Sequence, residues 1–573
     1  MRVILIYPPP WKIPAQDDIP DDSGEGPPAG WDPAKGLDLD AMTIPYGLLS
    51  LAAQVRDAGH EVIVLNLYDY TWRDITEVIH KLPADVYGLS CFTSNRRGTI
   101  STARLIREFH PEAYIVLGGP HVTALPCEML EHCPEANGIV IGEGEITFLE
   151  LIDCIRNNRP DTDIPGMAWR THGETRIGPE RRRIDDLDSL VSPYEYYEGD
   201  ILLTSRGCPG NCTFCGSPAI WGRKLRFNSA DHVLRTMERL VMAHGQKILY
   251  IKDDTFTCDR KRVLRICEGI RERGLNILWS CDTRVDALDE EMLCAMRRAG
   301  CERISLGVES ASPVILRNIN KRTTPEKVLA ATGMAKKFGF QVRYYMMAGN
   351  RGETAETLQS SLNFIAAARP NKFIYSFLSL YPGTREFEIA EKSGLMTREM
   401  FFESDVRCFG YFLTEEETPE LQSLKDWIGA HCGVQDLWEY SVADRQEILK
   451  LLHDLPAAYM DLGGAYYRSG DLDQAEKNIV QAVEMGYPAP GLGYNYLACI
   501  EALRGNLKAT VNNLEKAQNA GIHRIVQANL RVLREWLSSG GLDGKKPLSL
   551  CANHDLEDSR LAQQPVMPGP IRI

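Results

Sequence analysis

Short apolar runs alternate with amphipathic stretches through the first two thirds of the chain. RVILIY, HEVIVLNL, DVYGLSCF, YIVLGGPH and GIVIGEGE each read as a buried strand, while PYGLLSLAAQVRDAG and TARLIREFHP between them carry apolar residues at helical spacing. Strand and helix in alternation predict right-handed crossovers and a parallel, doubly wound sheet over residues 1–165, with ligands at the carboxyl ends of its strands.

A second series begins near residue 200. DILLTSRG, KILYIKDDTF, NILWSCDTRVD, RISLGVES, FQVRYYMMAG and KFIYSFLSLYPGT read as six strands, separated by helical patterns such as ADHVLRTMERLVMAHG and PEKVLAATGMAKKFG. Six βα units predict a partial (β/α)6 barrel over 199–400, joined to the first domain by a linker at 166–198. After a helical connector at 401–455 the period changes. YMDLGGAYYRSGDLDQAEKNIVQAVEMG and YNYLACIEALRGNLKATVNNLEKAQNAG align so that Leu462 matches Leu497, Gly470 matches Gly505 and Ala482 matches Ala517, which predicts all-α, tetratricopeptide-like repeats over 456–540. Two readings of these repeats stand level: a surface for a protein partner or carrier peptide, and a helical lid bracing the barrel. The tail 541–573 reads as disordered, and the segment Pro8 to Asp40, rich in Pro, Gly and Asp, reads as a mobile loop over the ligand edge or, equally, as a passive surface insertion.

Composition narrows the function. A net charge of -14 argues against a nucleic-acid partner, whose affinity would rest on clustered Lys and Arg. No run is long and apolar enough to span a membrane, and the first residues lack a signal-peptide cleavage site, so a cytoplasmic location is expected. The sixteen cysteines are then expected to be reduced thiols and not a disulfide framework.

Three of them carry chemistry. In TSRGCPGNCTFCG, Cys208, Cys212 and Cys215 fall in one loop directly after a predicted strand. Zinc sites usually take four ligands in two knuckles, whereas three close thiolates suit a metal cluster with one position open; zinc ranks second for want of a fourth ligand. In the first domain, Gly118 and Gly119 follow one strand and Gly142 and Glu143 another, where backbone N–H groups can approach a ligand.

The motifs SRGCPGNCTFC, KDDTF, SLGVES, MMAGNRGET and LYPGT resemble the radical S-adenosylmethionine (SAM) superfamily over residues 200–390, and residues 1–390 together resemble its cobalamin-binding, class B-like methyltransferases. The resemblance implies a 4Fe–4S cluster on Cys208, Cys212 and Cys215, with SAM chelated by the free iron. Phe214 would border the adenine; Glu309 and Ser310 would lie near the ribose or methionine end; Asp253 and Asp254 would face the amino group or the substrate. Gly349 opens the barrel-mouth loop Gly349-Asn350-Arg351-Gly352-Glu353-Thr354, where the family has Gly-Leu-Pro-Gly-Glu-Thr, and Arg351 would bind an anionic substrate or sit in solvent. For cobalamin, Ser90, Gly118, Gly119, Gly142 and Glu143 would line the site. Met42 and Ile44 stand where the family's loop carries its Asp and cobalt-ligating His.

The implied activity is methylation of an unactivated carbon in a small-molecule or peptide substrate. One SAM would methylate cob(I)alamin, another would yield the 5'-deoxyadenosyl radical, and the substrate radical would take the methyl group. A flavodoxin- or ferredoxin-like reductant would supply electrons. The alternatives are a radical cyclase or oxidative rearrangement enzyme, and a non-catalytic cobalamin-sensing scaffold.

Overall fold

The computed structural model describes residues 1–9, 45–68, 70–159, 164–171, 173–403, 418–431, 433–521, 523–539 and 547–556. Met42, Ile44 and nearly all of the Pro8–Asp40 segment lie outside the described residues.

The first sheet is built from β1 (Arg2–Tyr7), β2 (Glu61–Asn66), β3 (Val86–Ser90), β4 (Tyr114–Gly118), β5 (Gly138–Val140), β6 (Met167–Thr171) and β7 (Glu174–Ile177), in the order β2-β1-β3-β4-β5-β6-β7. The strands β1 to β5 pair in parallel. Their side chains feed two cores: Ile4 and Ile6 pack on one face, Val3, Leu5 and Tyr7 on the other. Strands covered on both faces need continuous apolar runs, which is what RVILIY supplies. The order reverses between β1 and β3, and a doubly wound sheet opens its ligand crevice at such a switch point. The linker expected at 166–198 is partly sheet, since β6 and β7 form a hairpin that extends β5 antiparallel.

The second sheet contains β8 (Ile201–Leu202), β11 (Ile248–Ile251), β12 (Leu278–Thr283), β13 (Cys301–Glu309), β14 (Gln341–Ala348), β15 (Lys372–Phe377) and β16 (Gly433–Asp436), paired in reverse order from β16 to β8. A separate antiparallel pair, β9 (Ser205–Arg206) with β10 (Arg226–Phe227), brackets the cysteine loop. All six expected strands are present and parallel. β16 falls in the segment expected to be a helical connector and closes the sheet antiparallel on β15. Five helices between the strands, starting at Ala230, Arg260, Glu290, Pro325 and Ala355, are each N-capped by a side chain: Ser229, Asp259, Asp289, Thr324 and Thr354. Such caps satisfy backbone N–H groups that have no partner inside the helix.

Strand alternation separates two faces of this sheet. Leu249, Ile251, Trp279, Cys281, Ile304, Leu306, Val342 and Tyr344 point into the core shared with the helices. Ile248, Tyr250 and Leu278 point the other way, and there they meet the carboxyl-terminal helices. Those helices, Pro456–Ser469, Leu472–Glu484, Pro490–Leu503, Leu507–Ala520 and Arg524–Ser538, pack as successive neighbours. Asp461 ties them to the sheet domain, accepting from Arg297 at 2.8 Å, Arg445 at 2.9 Å and His554 at 3.0 Å, all but fully buried. Burial opposes this charge, yet Arg445, His554 and Arg297 together hold the carboxyl far below the usual range.

Residues 547–556 overturn part of the expected disordered tail. Leu548 and Leu550 pack on the helices, and Asn529 and Asn495 donate to Cys551 O at 2.7 and 3.0 Å. Leu556 is 2% exposed, and its carbonyl accepts from Tyr250 at 2.6 Å on the inner face of β11. Asp555 accepts from Lys372 at 2.6 Å and Gln341 at 2.9 Å, at the starts of β15 and β14. The segment is a strap across the inner face. No described helix is long and apolar enough to cross a membrane.

Candidate active site

The cysteine loop leaves β9 through Gly207. Its φ of +92° and the carbonyl of Lys224, 2.5 Å from where a Cβ would stand, both select glycine. Asp253, at the end of β11, fixes the approach: its carboxylate accepts from Thr204 N at 2.5 Å, Ser205 N at 3.0 Å and the Thr204 hydroxyl at 2.6 Å. Downstream, Thr213 N–H donates to Ile319 O at 3.0 Å, and the Thr213 hydroxyl to Glu386 at 2.5 Å. Asn320 donates to Asn211 O at 2.7 Å, and Arg351 holds both Glu386 at 3.3 Å and Asn318 O at 2.7 Å. The loop is therefore bonded on one side to the end of β11 and on the other to the residues after helix Pro313–Asn318 and to helix Arg385–Lys392.

Cys208, Cys212 and Cys215 are free thiols, each partly exposed. A Cβ at Gly210 would meet Cys208 Sγ at 3.2 Å, Cys212 Sγ at 4.0 Å and an Arg284 nitrogen at 3.1 Å, so glycine keeps open a space shared by two thiols and a guanidinium. Burial pushes the Cys215 thiol up to about 11 and raises that of Cys212. A bound metal reverses this, because a coordinating thiol is deprotonated outright. Among the described residues no three His, Cys, Asp or Glu side chains group as ligands of a single ion. A cluster instead takes one thiolate per iron, which suits three thiols along one loop.

On the inner face, Glu309 ends β13 in the left-handed region, with φ of 68°. It pairs with Lys321 at 2.9 Å. Burial disfavours the Lys321 charge, but Glu309 and Cys212 outweigh it and raise its pKa, so a cation is held beside the loop.

The carboxyl edge of the first sheet abuts this loop. Arg206, immediately before Gly207, donates to Glu143 at 2.9 Å and to Glu145 at 2.5 Å, and Arg226 donates to Glu143 at 2.8 Å. Helix Pro120–Ala124, which follows Gly119, packs on helix Ser217–Trp221, which follows Cys215. Along that edge a Cβ added to Gly47, Gly118 or Gly142 would meet nothing within 4 Å, so the backbone faces open space where a flat cofactor could lie. His121 is less open: its Nδ1 lies 3.1 Å from the Thr93 hydroxyl, its ring packs on Phe401 and Phe402, and burial, with Arg96 nearby, drops its pKa to about 3.

A model of the Radical SAM superfamily matches residues 202–365, and a model of the B12 binding domain matches residues 38–152. An uncharacterized methyltransferase of Pyrococcus horikoshii is 33% identical over 365 residues, which cover 61% of this chain and 79% of that protein. The chain belongs to the radical SAM superfamily. The anaerobic magnesium-protoporphyrin IX monomethyl ester cyclase of Rubrivivax gelatinosus is 28% identical over 374 residues, covering 62% of this chain and 67% of that one. Among solved structures, the cobalamin-dependent radical enzyme OxsB, with aqua-cobalamin and SAM bound, superposes with a TM-score of 0.53 at 16% identity, over 97% of this chain and 83% of its own. That likeness concerns the fold. The cofactors of this radical SAM chain are a 4Fe–4S cluster, SAM and cobalamin.

Of the residues singled out in the sequence, the three cysteines, Gly118 and Gly142 stand where a cofactor could reach them, and Ser90 and Gly119 are partly exposed at the same edge. Phe214 packs, partly buried, against the hydrophobic cluster that includes Leu125, Ile319 and Phe387. Four others are engaged inside the protein. Asp253 braces β8 and β9 and does not face a substrate. Ser310 is 2% exposed and bonds Ser361 at 3.1 Å behind the strand end. Both carboxylate oxygens of Glu143 accept from arginine, and one also from Ile184 N. The Gly349 N–H donates to Glu353 at 2.5 Å. Asp254 is exposed and bonds Ser217, while Arg351 keeps 36% side-chain exposure and is paired with Glu386 at 3.3 Å. Arg206, Glu145, Thr213 and Glu386 were not singled out. Only the place of Arg206 and Thr213 in the cysteine motif could have drawn attention to the first and third.

Proposed function

We propose that the chain is a cobalamin-dependent radical SAM methyltransferase acting on an unactivated carbon of a small-molecule or peptide substrate. The observation that carries this reading is the contact between the glycine-lined carboxyl edge of the first sheet and the cysteine loop, made through Arg206 with Glu143 and Glu145 and through the helices at Pro120 and Ser217. When bound, the cofactors supply a methyl carrier and a hydrogen-abstracting radical; the protein supplies their separation, their orientation and exclusion of water. Asp253, Thr213 and Glu386 hold the loop that would carry the cluster, and Lys321 places positive charge beside Cys212. The methyltransferase relative supports methyl transfer, and the curled sheet of six parallel strands is read as the partial (β/α)6 barrel. The paired carboxyl-terminal helices are read as tetratricopeptide-like, with bracing favoured over recruitment because their buried face is spent on the sheet.

The cyclase relative keeps ring closure as the second reading. Product stoichiometry separates the two. Anaerobic turnover of reconstituted enzyme should release S-adenosylhomocysteine and 5'-deoxyadenosine together; deoxyadenosine with product but without S-adenosylhomocysteine would select the cyclase.

A further inference from the structure

The two ends of the cysteine loop meet different surroundings. Cys215 leads into helix Ser217–Trp221, which packs on helix Pro120–Ala124 of the first domain. Gly210 and Cys212 line a cavity of about 510 Å³, together with Cys258 after β11 and Arg284 and Asp286 after β12.

Arg284 is held on one edge and open on the other. Asp286 accepts from its Nε at 2.9 Å and its Nη2 at 2.8 Å, a two-point grip that leaves the third nitrogen, Nη1, pointing away from the acid. Nη1 has no hydrogen-bond partner among the described residues; it bounds the space over Gly210, 3.1 Å from where a Cβ would stand, with Cys208 Sγ at 3.2 Å and Cys212 Sγ at 4.0 Å from the same point. Cation and thiols thus share one methyl-sized gap. The hydrogen bonds to Asp286 do most to raise the Arg284 pKa, and Cys208 and Cys212 raise it further. The other cation beside the loop is Lys321, but its partner Glu309 acts on Cys212 in the opposite sense. At the far end of the loop the sign changes. Asp254 is bonded to Ser217, two residues beyond Cys215, and leads the charges that act on that thiol.

We propose that Arg284 sets the reduction potential of the cluster: clamped by Asp286, it holds a guanidinium beside the Cys208 and Cys212 sulfurs and favours the reduced cluster, which carries one more negative charge. The inference rests on the 4Fe–4S cluster of the superfamily and not on methyl transfer. Potentials of such clusters follow net charge, hydrogen bonds to the sulfurs and solvent exposure. Arg284 stands between the sulfurs and the cavity with its side chain 21% exposed, whereas that of Asp286 is 43% exposed and better screened by water. Arginine suits the place because its planar fork can be gripped on one edge and still present a nitrogen on the other, which a lysine ammonium does not do.

The test is an electron paramagnetic resonance titration of the full-length, cluster-loaded protein against redox mediators, without SAM or substrate. It is run at alkaline pH, where Asp254, whose carboxyl burial pushes up, is ionised. Arg284→Gln should lower the midpoint, with about a tenfold loss in the ratio of reduced to oxidised cluster at a fixed potential, equal to about 59 mV for one electron. Arg284→Lys should fall between, and Asp254→Asn should shift the midpoint the other way. A side chain that served only the fold, SAM or the substrate would leave the midpoint of an intact cluster where it is. An unchanged or raised midpoint in Arg284→Gln overturns the assignment, as does a shift of the same sign in Arg284→Gln and Asp254→Asn, the mark of a loosened loop. Should Arg284→Gln fail to hold iron and sulfide, spin-echo spectra of the reduced wild type with isotopically labelled guanidinium nitrogens decide: a nitrogen coupling that disappears in Arg284→Lys sustains the assignment, and no coupling, or one that persists, overturns it. A wild type without any reduced-cluster signal sinks the cluster and the inference together; a normal signal with an unmoved midpoint sinks the inference alone.

Discussion

Arg206 and Glu143 meet at 2.9 Å across the junction of the two sheets, with both side chains at most 5% exposed. Glu145 and Arg226 complete the buried group, so two carboxylates are matched by two guanidiniums. Arg206→Ala leaves Glu145 buried without its cation. Removing one partner of such a pair typically costs about 3–5 kcal/mol. Denaturant unfolding followed by tryptophan fluorescence should show a loss of that order, with Arg206→Lys intermediate because lysine lacks the fork that reaches both acids.

Alanine at any one of Cys208, Cys212 or Cys215 should abolish deoxyadenosine formation while leaving the chain folded. The three thiols lie on a loop held by Asp253, Thr213 and Asn320, and none of those bonds uses a sulfur. Iron and sulfide content, circular dichroism and SAM cleavage measured on the same samples check this, and a soluble triple variant that still cleaves SAM would refute it.

His121 predicts an acid-side loss of stability. Burial lowers its folded pKa to about 3, against about 6.5 in the unfolded chain, so between those values the unfolded state binds the extra proton. The contribution is complete above about pH 6.5 and falls as pH drops, by roughly 1.4 kcal/mol per unit, until the folded group titrates. Thermal melts of His121→Gln from pH 7 to 4 should be flatter than those of the wild type.

Cob(II)alamin bound to the protein should show no nitrogen splitting from a histidine beneath cobalt. His60 precedes β2, at the amino-terminal edge of the first sheet, with Nδ1 3.4 Å from the terminal amine, and His121 is packed against Phe401 and Phe402. Electron paramagnetic resonance tests this; splitting that vanishes in His121→Gln would show the ring turning toward the metal.

Asp461→Ala should destabilise the chain by about 3–5 kcal/mol, since it leaves buried Arg445 without its carboxylate and Arg297 with Glu302 alone. Truncation after residue 455 exposes Ile248, Tyr250 and Leu278 as well, so loss of solubility is expected ahead of any selective loss of substrate engagement.

The strands and the cysteine loop were legible because burial on both faces demands apolar runs and because three thiols at that spacing have few uses. Side-chain destinations were less so. KDDTF and GEGE mark strand ends rich in acid, but whether a carboxylate turns outward to a ligand or back to the protein depends on partners far along the chain: Asp253 finds Thr204, and Glu143 finds Arg206 and Arg226. The strap escaped notice for a similar reason. Residues 547–556 have no periodicity of their own, and their order comes from single contacts, Leu556 with Tyr250 and Asp555 with Lys372. The β6–β7 hairpin was hidden by the charges around it, which sit on its exposed face.

The strap also bears on how the molecule is made. The strand it caps, β11, and the last parallel strand, β15, leave the ribosome long before Asp555 and Leu556 do. At synthesis rates of about 5–20 residues per second, the interval is on the order of ten seconds or more. Throughout it, Ile248, Leu278, Lys372 and Arg303 lack their final cover, so the nascent sheet stays open to chaperones until the strap docks.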